Sequence, residues 1–268
     1  MNPTDIYADL KAEGHALDQI VTGLDAAQWD LATPAPGWTI KHQVAHLSSL
    51  AWIAGVAASD PALFVKVTAG ADKDFDAAVN DLLQPYLAAS SADLLARWRK
   101  EQDGAADALA ALPPDQMLPW VVRQIPARVL ACAGIMELFA HGQDIADAIG
   151  VQREYTDRIG HLAWFATRNR DFGYEVRGLK PPEVPFRFEL TAPSGTTTWG
   201  FGPADAPNRV SGPAVDFCLL VTRRRNRADL ALHAIGEDAD HWMDIAQAYR
   251  GSPGIGRRPG EFSAIATD

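Results

Sequence analysis

The chain has 268 residues, 47% hydrophobic and 22% charged, which is close to the average of a soluble globular protein. Its 24 Lys and Arg against 34 Asp and Glu give a net charge of −10, which argues against a nucleic-acid partner. The apolar stretch of residues 47–59 is shorter than the roughly 20 residues of a membrane helix. The N-terminal sequence MNPTDIYADLK lacks the pattern of a secretory signal, so we expect a cytoplasmic protein without a membrane partner.

The first two thirds of the chain show apolar residues at helical spacing. This spacing predicts a helix over residues 4–24, capped by Thr4, and a second helix over residues 39–59, capped by Thr39. The segment that begins at Pro61 has no clear predicted shape. Four more helices are predicted over residues 75–88, 92–112, 126–149 and 156–176. Proline or glycine follows several of these segments, for example Gly150 after the helix that ends at residue 149.

The pattern changes after Pro181, where apolar and charged residues begin to alternate. Residues 186–190 and 196–201 predict a β-hairpin around a Pro-Ser-Gly turn, and residues 208–211 predict a short strand. Helices are expected over residues 213–225 and 237–249, residues 230–234 fit either a strand or a helix, and the tail is expected to be irregular. The expected fold class is therefore α+β, with a helical domain over residues 1–178 and a small α/β domain over residues 179–268.

Ionisable side chains stand at helical spacing within two apolar helices. Glu137 and His141 are four residues apart and project from the same side of their helix, which Asp144 also shares. In the second helix, His46 follows His42 by four residues. Because a carboxylate in apolar surroundings is costly unless it is paired, protonated or bound to a metal, Glu137 indicates a functional site.

Two imidazoles and a carboxylate, from His46, His141 and Glu137, suit a divalent metal ion, zinc above all, with nickel, iron and manganese as alternatives. Three protein ligands leave one coordination position for water or substrate, and Asp144 is a candidate catalytic residue beside them. The alternative is that each residue is a hydrogen-bonded core or boundary residue. A distance above about 8 Å between the His46 ring and the Glu137 carboxylate would exclude the metal site, since first-shell bonds are about 2 Å long.

Two segments, PAPGWTIKHQVAHL (34–47) and ELFAHGQDIADAIG (137–150), resemble the signatures of the DinB/YfiT-like metalloenzyme superfamily. The resemblance is closest to its mycothiol-dependent maleylpyruvate isomerase branch, and it implies an N-terminal four-helix bundle with up-down-down-up topology. It also implies a metal held by His46, Glu137 and His141, with Trp38 and Asp144 completing the two motifs. Segments 210–225 and 242–260 resemble the small C-terminal domain of this branch, whose members are often monomers or dimers.

The resemblance implies an enzyme that uses a low-molecular-weight thiol such as mycothiol. The metal would lower the thiol's pKa, and the thiolate would attack an electrophilic small-molecule substrate in an isomerisation or S-transfer. Cys132 and Cys218 lie in apolar segments and are interpreted as reduced core residues, not as the nucleophile. Candidates for binding the polar thiol are three consecutive arginines, whose alternative role is to end a helix: Arg223, Arg224 and Arg225.

Two other functions remain open at this point. The first is a metal-dependent hydrolase with a metal-bound water as the nucleophile, for which Asp144 is the evident base. The second is a protein that binds a metal or a small ligand without catalysis.

Overall fold

A computed structural model describes residues 5–70, 75–121, 123–249 and 251–262, without the side chains of residues 75 and 76. The chain divides into two compact units, one that ends at Arg153 and one that runs from Glu154 toward the C-terminus. This division comes earlier in the chain than the predicted boundary after residue 178. The predicted α+β class is confirmed, because the first unit is largely helical and the second contains a small sheet.

The first unit contains six α-helices among its described residues. They are α1 (Ile6–Thr22), α2 (Ile40–Ser59), α3 (Pro61–Val67), α4 (Phe75–Leu87), α5 (Ser91–Ala110) and α6 (Ala127–Ile149). Each of α1 and α2 packs against both α5 and α6, so the four long helices form a bundle. Two short antiparallel strands that the sequence did not predict, β1 (Met117–Leu118) and β2 (Ile125–Pro126), lie between α5 and α6.

Local residues set the ends of the helices. The Asp5 carboxylate caps α1 by accepting from the backbone N–H groups of Tyr7 and Ala8, while the predicted cap, Thr4, lies outside the described residues. Thr39 precedes α2 as predicted, in a capping box with His42. Gly150 ends α6 as predicted, in a left-handed conformation with φ of +68°. The helix that carries His46 therefore begins, and the helix that carries Glu137 ends, at an identifiable local signal.

A buried ion pair joins α1 to the segment that follows α6. The Arg153 guanidinium donates from Nη2 to Glu13 Oε1 at 2.9 Å and from Nη1 to the Phe139 carbonyl oxygen at 2.8 Å. Gly142 leaves room for this guanidinium, because a Cβ at residue 142 would lie 3.0 Å from Arg153 Nη1. Phe139 itself is fully buried. Arg153 therefore contacts α6 between the positions of Glu137 and His141.

Among its described residues, the second unit combines four α-helices with a four-stranded sheet. The helices are α7 (Gly160–Arg168), α8 (Phe172–Glu175), α9 (Ala214–Val221) and α10 (Glu237–Ile245). The strands are β3 (Phe186–Thr191), β4 (Thr198–Phe201), β5 (Asn208–Pro213) and β6 (His233–Ile235), in the order β4-β3-β5-β6. β3 and β4 pair antiparallel and form the predicted hairpin, and β3 also pairs with β5 in parallel. The core contains a contiguous group of aromatic rings: Phe186, Phe188, Phe217 and Trp242.

Three helices of the second unit differ from their predicted extents. The segment predicted as one helix over residues 156–176 is interrupted after Arg168, and α7 packs on α9 and β4, which places it with the second unit. The helix predicted to reach residue 225 ends at Val221, because Arg223 adopts a left-handed conformation with φ of +59°. The last helix ends at Ile245, and the following chain runs back so that the Ala248 N–H donates to Val221. Within the described residues, we find no helix with the length and apolar character to cross a membrane.

Candidate metal centre

The three residues predicted as metal ligands come together in the helical bundle. His46 lies on α2, and Glu137 and His141 lie on α6. Glu137 Oε2 is 3.1 Å from His141 Nε2 and 3.8 Å from His46 Nε2. One ligand atom from each residue lies within 4.8 Å of the other two. Since bonds from zinc to nitrogen and oxygen ligands are about 2.0–2.2 Å long, this spacing is close to what a shared ion requires.

The electrostatics of the site keep the carboxylate ionised. Burial by itself would raise the pKa of Glu137, but the hydrogen bonds and charges of His141 and His46 hold this pKa well below its usual range. All three side chains are partly buried, so solvent reaches the site only in part. An ionised carboxylate and two imidazole nitrogens are the donor set that a divalent first-row metal prefers, and these residues therefore fit such an ion.

Trp38 packs against both imidazoles. Its ring is stacked on His141 with centroids 5.8 Å apart and an interplanar angle of 23°. It meets the His46 ring edge-on at 5.2 Å. Nδ1 of His46 is buried and has no hydrogen-bond partner among the described residues, so packing against Trp38 orients this ring. The sequence indicated Trp38 only as part of a motif, and the structure places it in contact with the candidate ligands.

Gln43 is a residue of this site that the sequence analysis missed. Its side chain is fully buried on α2, and its Oε1 lies 2.5 Å from His141 Nδ1. Its Nε2 donates to Thr33 Oγ1 at 2.8 Å and approaches Asp144 Oδ2 at 3.5 Å. Its spacing of three residues before His46, which puts both side chains on one side of α2, was the signal that could have found it.

The other candidate residues from the sequence are outside the group of metal ligands. Asp144 is fully buried, and the contact described between it and this site is the one with Gln43. His42 belongs to the capping box at the start of α2 and is outside the metal-ligand group. Burial raises the pKa of the Cys132 thiol to about 12, and Cys218 is fully buried in the second unit. Neither thiol is therefore suited to act as a nucleophile at neutral pH.

A cavity of about 190 Å³ lies in the second unit, and arginines line much of it. Arg223, Arg225 and Arg257 are among the lining residues, whereas Arg224 is not and donates to the Thr222 carbonyl oxygen. Nε of Arg223 is buried and lacks a hydrogen-bond partner among the described residues. Arg177 has a lowered pKa because of burial and, next, the positive charge of Arg223. The cavity is therefore a region of concentrated positive charge.

Comparisons with known proteins agree with this fold. Residues 10–146 match the family model described as mycothiol maleylpyruvate isomerase N-terminal domain, and residues 182–234 match a model described as wyosine base formation. Two uncharacterized proteins from two strains of Mycobacterium tuberculosis are each 43% identical to the chain over 256 residues, which cover 96% of the chain and 99% of each relative.

Among solved structures, the chain is similar to the mycothiol-dependent maleylpyruvate isomerase and to a point mutant of that enzyme. The TM-scores are 0.53 and 0.55, the identities are 15% and 13%, and the matches cover 81% of this chain and 87% of each of those chains. At these identities the similarity shows a shared fold. The family model that covers residues 10–146, half of the chain, shows its family: the chain belongs to the mycothiol maleylpyruvate isomerase N-terminal domain family.

Proposed function

We propose that this chain is a thiol-dependent enzyme of the isomerase or S-transferase type, with a divalent metal ion held by His46, Glu137 and His141. The observation that carries the proposal is the convergence of these three side chains, with Glu137 Oε2 3.1 and 3.8 Å from the two imidazole Nε2 atoms. Zinc is the metal we favour, since its catalytic sites commonly use three nitrogen or oxygen ligands and keep one position open. A divalent ion there would lower the pKa of a bound thiol and supply a thiolate at neutral pH.

Two of the chain's own residues would support the bound metal ion. Glu137 supplies one negative charge, which partly neutralises a divalent ion. Trp38 stacks on the His141 ring and meets the His46 ring edge-on, which limits the access of water to both rings. Because burial raises the pKa of the Cys132 thiol to about 12 and Cys218 is fully buried, a thiol nucleophile would come from another molecule. A low-molecular-weight thiol fits this requirement, and mycothiol is the thiol named by the family.

We also propose that the arginine-lined cavity of the second unit binds a small anionic group. Arg223 and Arg225 are the residues of the predicted set that line it, and Arg224 would act only indirectly. A volume of about 190 Å³ is smaller than the roughly 300 Å³ at which sites for drug-sized ligands begin. It suits a single carboxylate or phosphate group, which arginine binds in a bidentate manner.

The hydrolase alternative has less support. Its general base, Asp144, is fully buried, and the contact described between it and the centre is made through Gln43. A base must come within hydrogen-bond reach of the proton that it removes, directly or through one water.

Metal binding can be measured on untagged protein that has been treated with a chelator and then titrated with zinc against a metal-sensitive dye. We expect one zinc per chain, and a loss of at least tenfold in affinity for His141→Ala, because one of three ligands is removed. His42→Ala is the matched control, since it alters another histidine of the same region that lies outside the ligand group. A wild-type protein that binds no divalent metal at micromolar concentration would refute the metal centre.

The thiol is tested separately with the zinc-loaded protein. We expect mycothiol to raise the melting temperature and to support isomerisation of maleylpyruvate, with glutathione and bacillithiol as comparison thiols. Absence of both binding and turnover with all three thiols would refute thiol dependence while leaving the metal centre in place.

A further inference from the structure

The hydrogen bonds around Gln43 have only one possible direction. The Trp38 carbonyl oxygen, which can only accept, receives the Thr33 backbone N–H at 2.8 Å and the Thr33 hydroxyl at 2.9 Å. Because its proton is directed to this carbonyl, the Thr33 oxygen acts as an acceptor toward its other neighbour. That neighbour is Gln43, 2.8 Å away, so the donor must be the amide nitrogen Nε2.

The opposite end of the same amide then acts as an acceptor. Asp144 Oδ2 also lies on the Nε2 side of Gln43, at 3.5 Å, and a carboxylate oxygen there favours the same orientation of the amide. Gln43 Oε1 therefore faces His141, and its distance to Nδ1 is 2.5 Å. A carbonyl oxygen in this position requires a proton on Nδ1 of His141.

A neutral imidazole with its proton on Nδ1 has its lone pair on Nε2. This is the atom that lies 3.1 Å from Glu137 Oε2, which is also an acceptor. Two acceptors at this distance repel one another unless a proton or a metal ion lies between them, and a proton on Nε2 gives the hydrogen bond to Glu137 described above. The arrangement therefore presents His141 Nε2 and the Glu137 carboxylate together to a positive ion.

We propose that Gln43 is a positioning residue that fixes His141 in the Nδ1–H form and so presents Nε2 as a metal ligand. The proposal rests on the proposed metal function. His46 has no equivalent outer partner among the described residues, because its Nδ1 is buried without a hydrogen bond and its ring is held by Trp38. The two imidazoles are thus oriented by different means, one by a directed hydrogen bond and the other by packing.

The variant that tests this role is Gln43→Met, which keeps the length of the side chain and removes both hydrogen-bonding groups. Loss of an outer partner of a ligating histidine typically weakens metal binding 10- to 100-fold, and we expect a decrease of this size in zinc affinity. The matched control is Gln102→Met, which makes the same change at another buried glutamine that bonds to the Leu10 carbonyl oxygen. We expect the control to bind zinc within about twofold of the wild type. Equal zinc affinity for wild type and Gln43→Met would overturn the proposal.

A second measurement does not depend on metal. Nitrogen-15 NMR of the histidine side chains in metal-free wild-type protein reports which ring nitrogen carries a proton. We expect His141 Nδ1 to be protonated in the wild type, and the Nε2–H form to appear in Gln43→Met because Glu137 can then accept that proton. A wild-type His141 without a proton on Nδ1 would overturn the assignment. A protonated Nδ1 in a protein that binds no zinc would support the assignment and refute the metal function.

Discussion

The ion pair between Glu13 and Arg153 offers a quantitative test of the bundle that carries the candidate centre. The two side chains are 6% and 4% exposed, and they are joined by a hydrogen bond of 2.9 Å. Replacing Glu13 by alanine removes the carboxylate and leaves the guanidinium buried without it. Removing one partner of a buried pair typically costs 3–5 kcal/mol, because the charge that remains out of water has lost its ion-pair partner.

An exposed pair that joins α1 to α5 supplies the comparison. Lys11 and Asp107 are 34% and 68% exposed, and pairs of this kind contribute about 0–1 kcal/mol. Glu13→Ala should therefore lower the free energy of unfolding by roughly 3 kcal/mol or more, and Asp107→Ala by about 1 kcal/mol at most. The first value is a large part of the 5–15 kcal/mol that is typical of a whole domain.

The assay is urea unfolding of both variants and the wild type, followed by circular dichroism at a wavelength that reports helix. Because the chain has two compact units, the transition of the helical unit should be fitted separately if two transitions are resolved. A loss for Glu13→Ala no larger than that for Asp107→Ala would refute the reasoning. It would mean that the ion pair is hydrated in solution and does not tie α1 to α6.

Two further predictions concern the thiols and the sheet. Iodoacetamide at pH 8 should label neither Cys132 nor Cys218 in the folded protein, because both thiols are buried and burial raises the pKa of Cys132 to about 12. In urea it should label both, and the intact mass reports the number of labels. Labelling of the folded chain would contradict the burial described. Gly202→Ala should lower the free energy of unfolding, measured by denaturant titration, by at least 1–3 kcal/mol. The backbone φ of Gly202 is +84°, and a Cβ there would lie 2.0 Å from the Phe186 carbonyl oxygen. Gly104→Ala, in the open on α5, is its control and should stabilise by about 1 kcal/mol; equal effects would contradict the geometry.

Local signals made the helices of the bundle predictable. The apolar period of 3.6 residues, the cap at Thr39 and the glycine at 150 place α2 and α6 within a few residues of their observed extents. Helical spacing also put Glu137 and His141 on one side of α6, where the structure has them. The approach of His46 to this pair depends on the packing of α2 against α6, which no local pattern encodes.

The features that the sequence did not predict depend on tertiary contacts. The interruption between α7 and α8 follows a segment whose apolar period continues, and the break is stabilised by the Asn169 side chain bonding to the Phe165 carbonyl oxygen. The early end of α9 requires Arg223 to adopt a backbone conformation that usually belongs to glycine. Gln43 was missed because its role depends on Thr33 and His141, which come from different parts of the chain.

The left-handed backbone at Arg223 brings stability and the proposed anion binding into conflict at a single position. An L-residue with a side chain adopts this conformation at a cost of about 1–2 kcal/mol, whereas glycine adopts it freely. A protein engineer who selects only for a higher melting temperature would therefore tend to obtain glycine at position 223. The same change would remove a cation from the wall of the cavity, so thermostable variants of this chain should be selected in the presence of an anionic ligand.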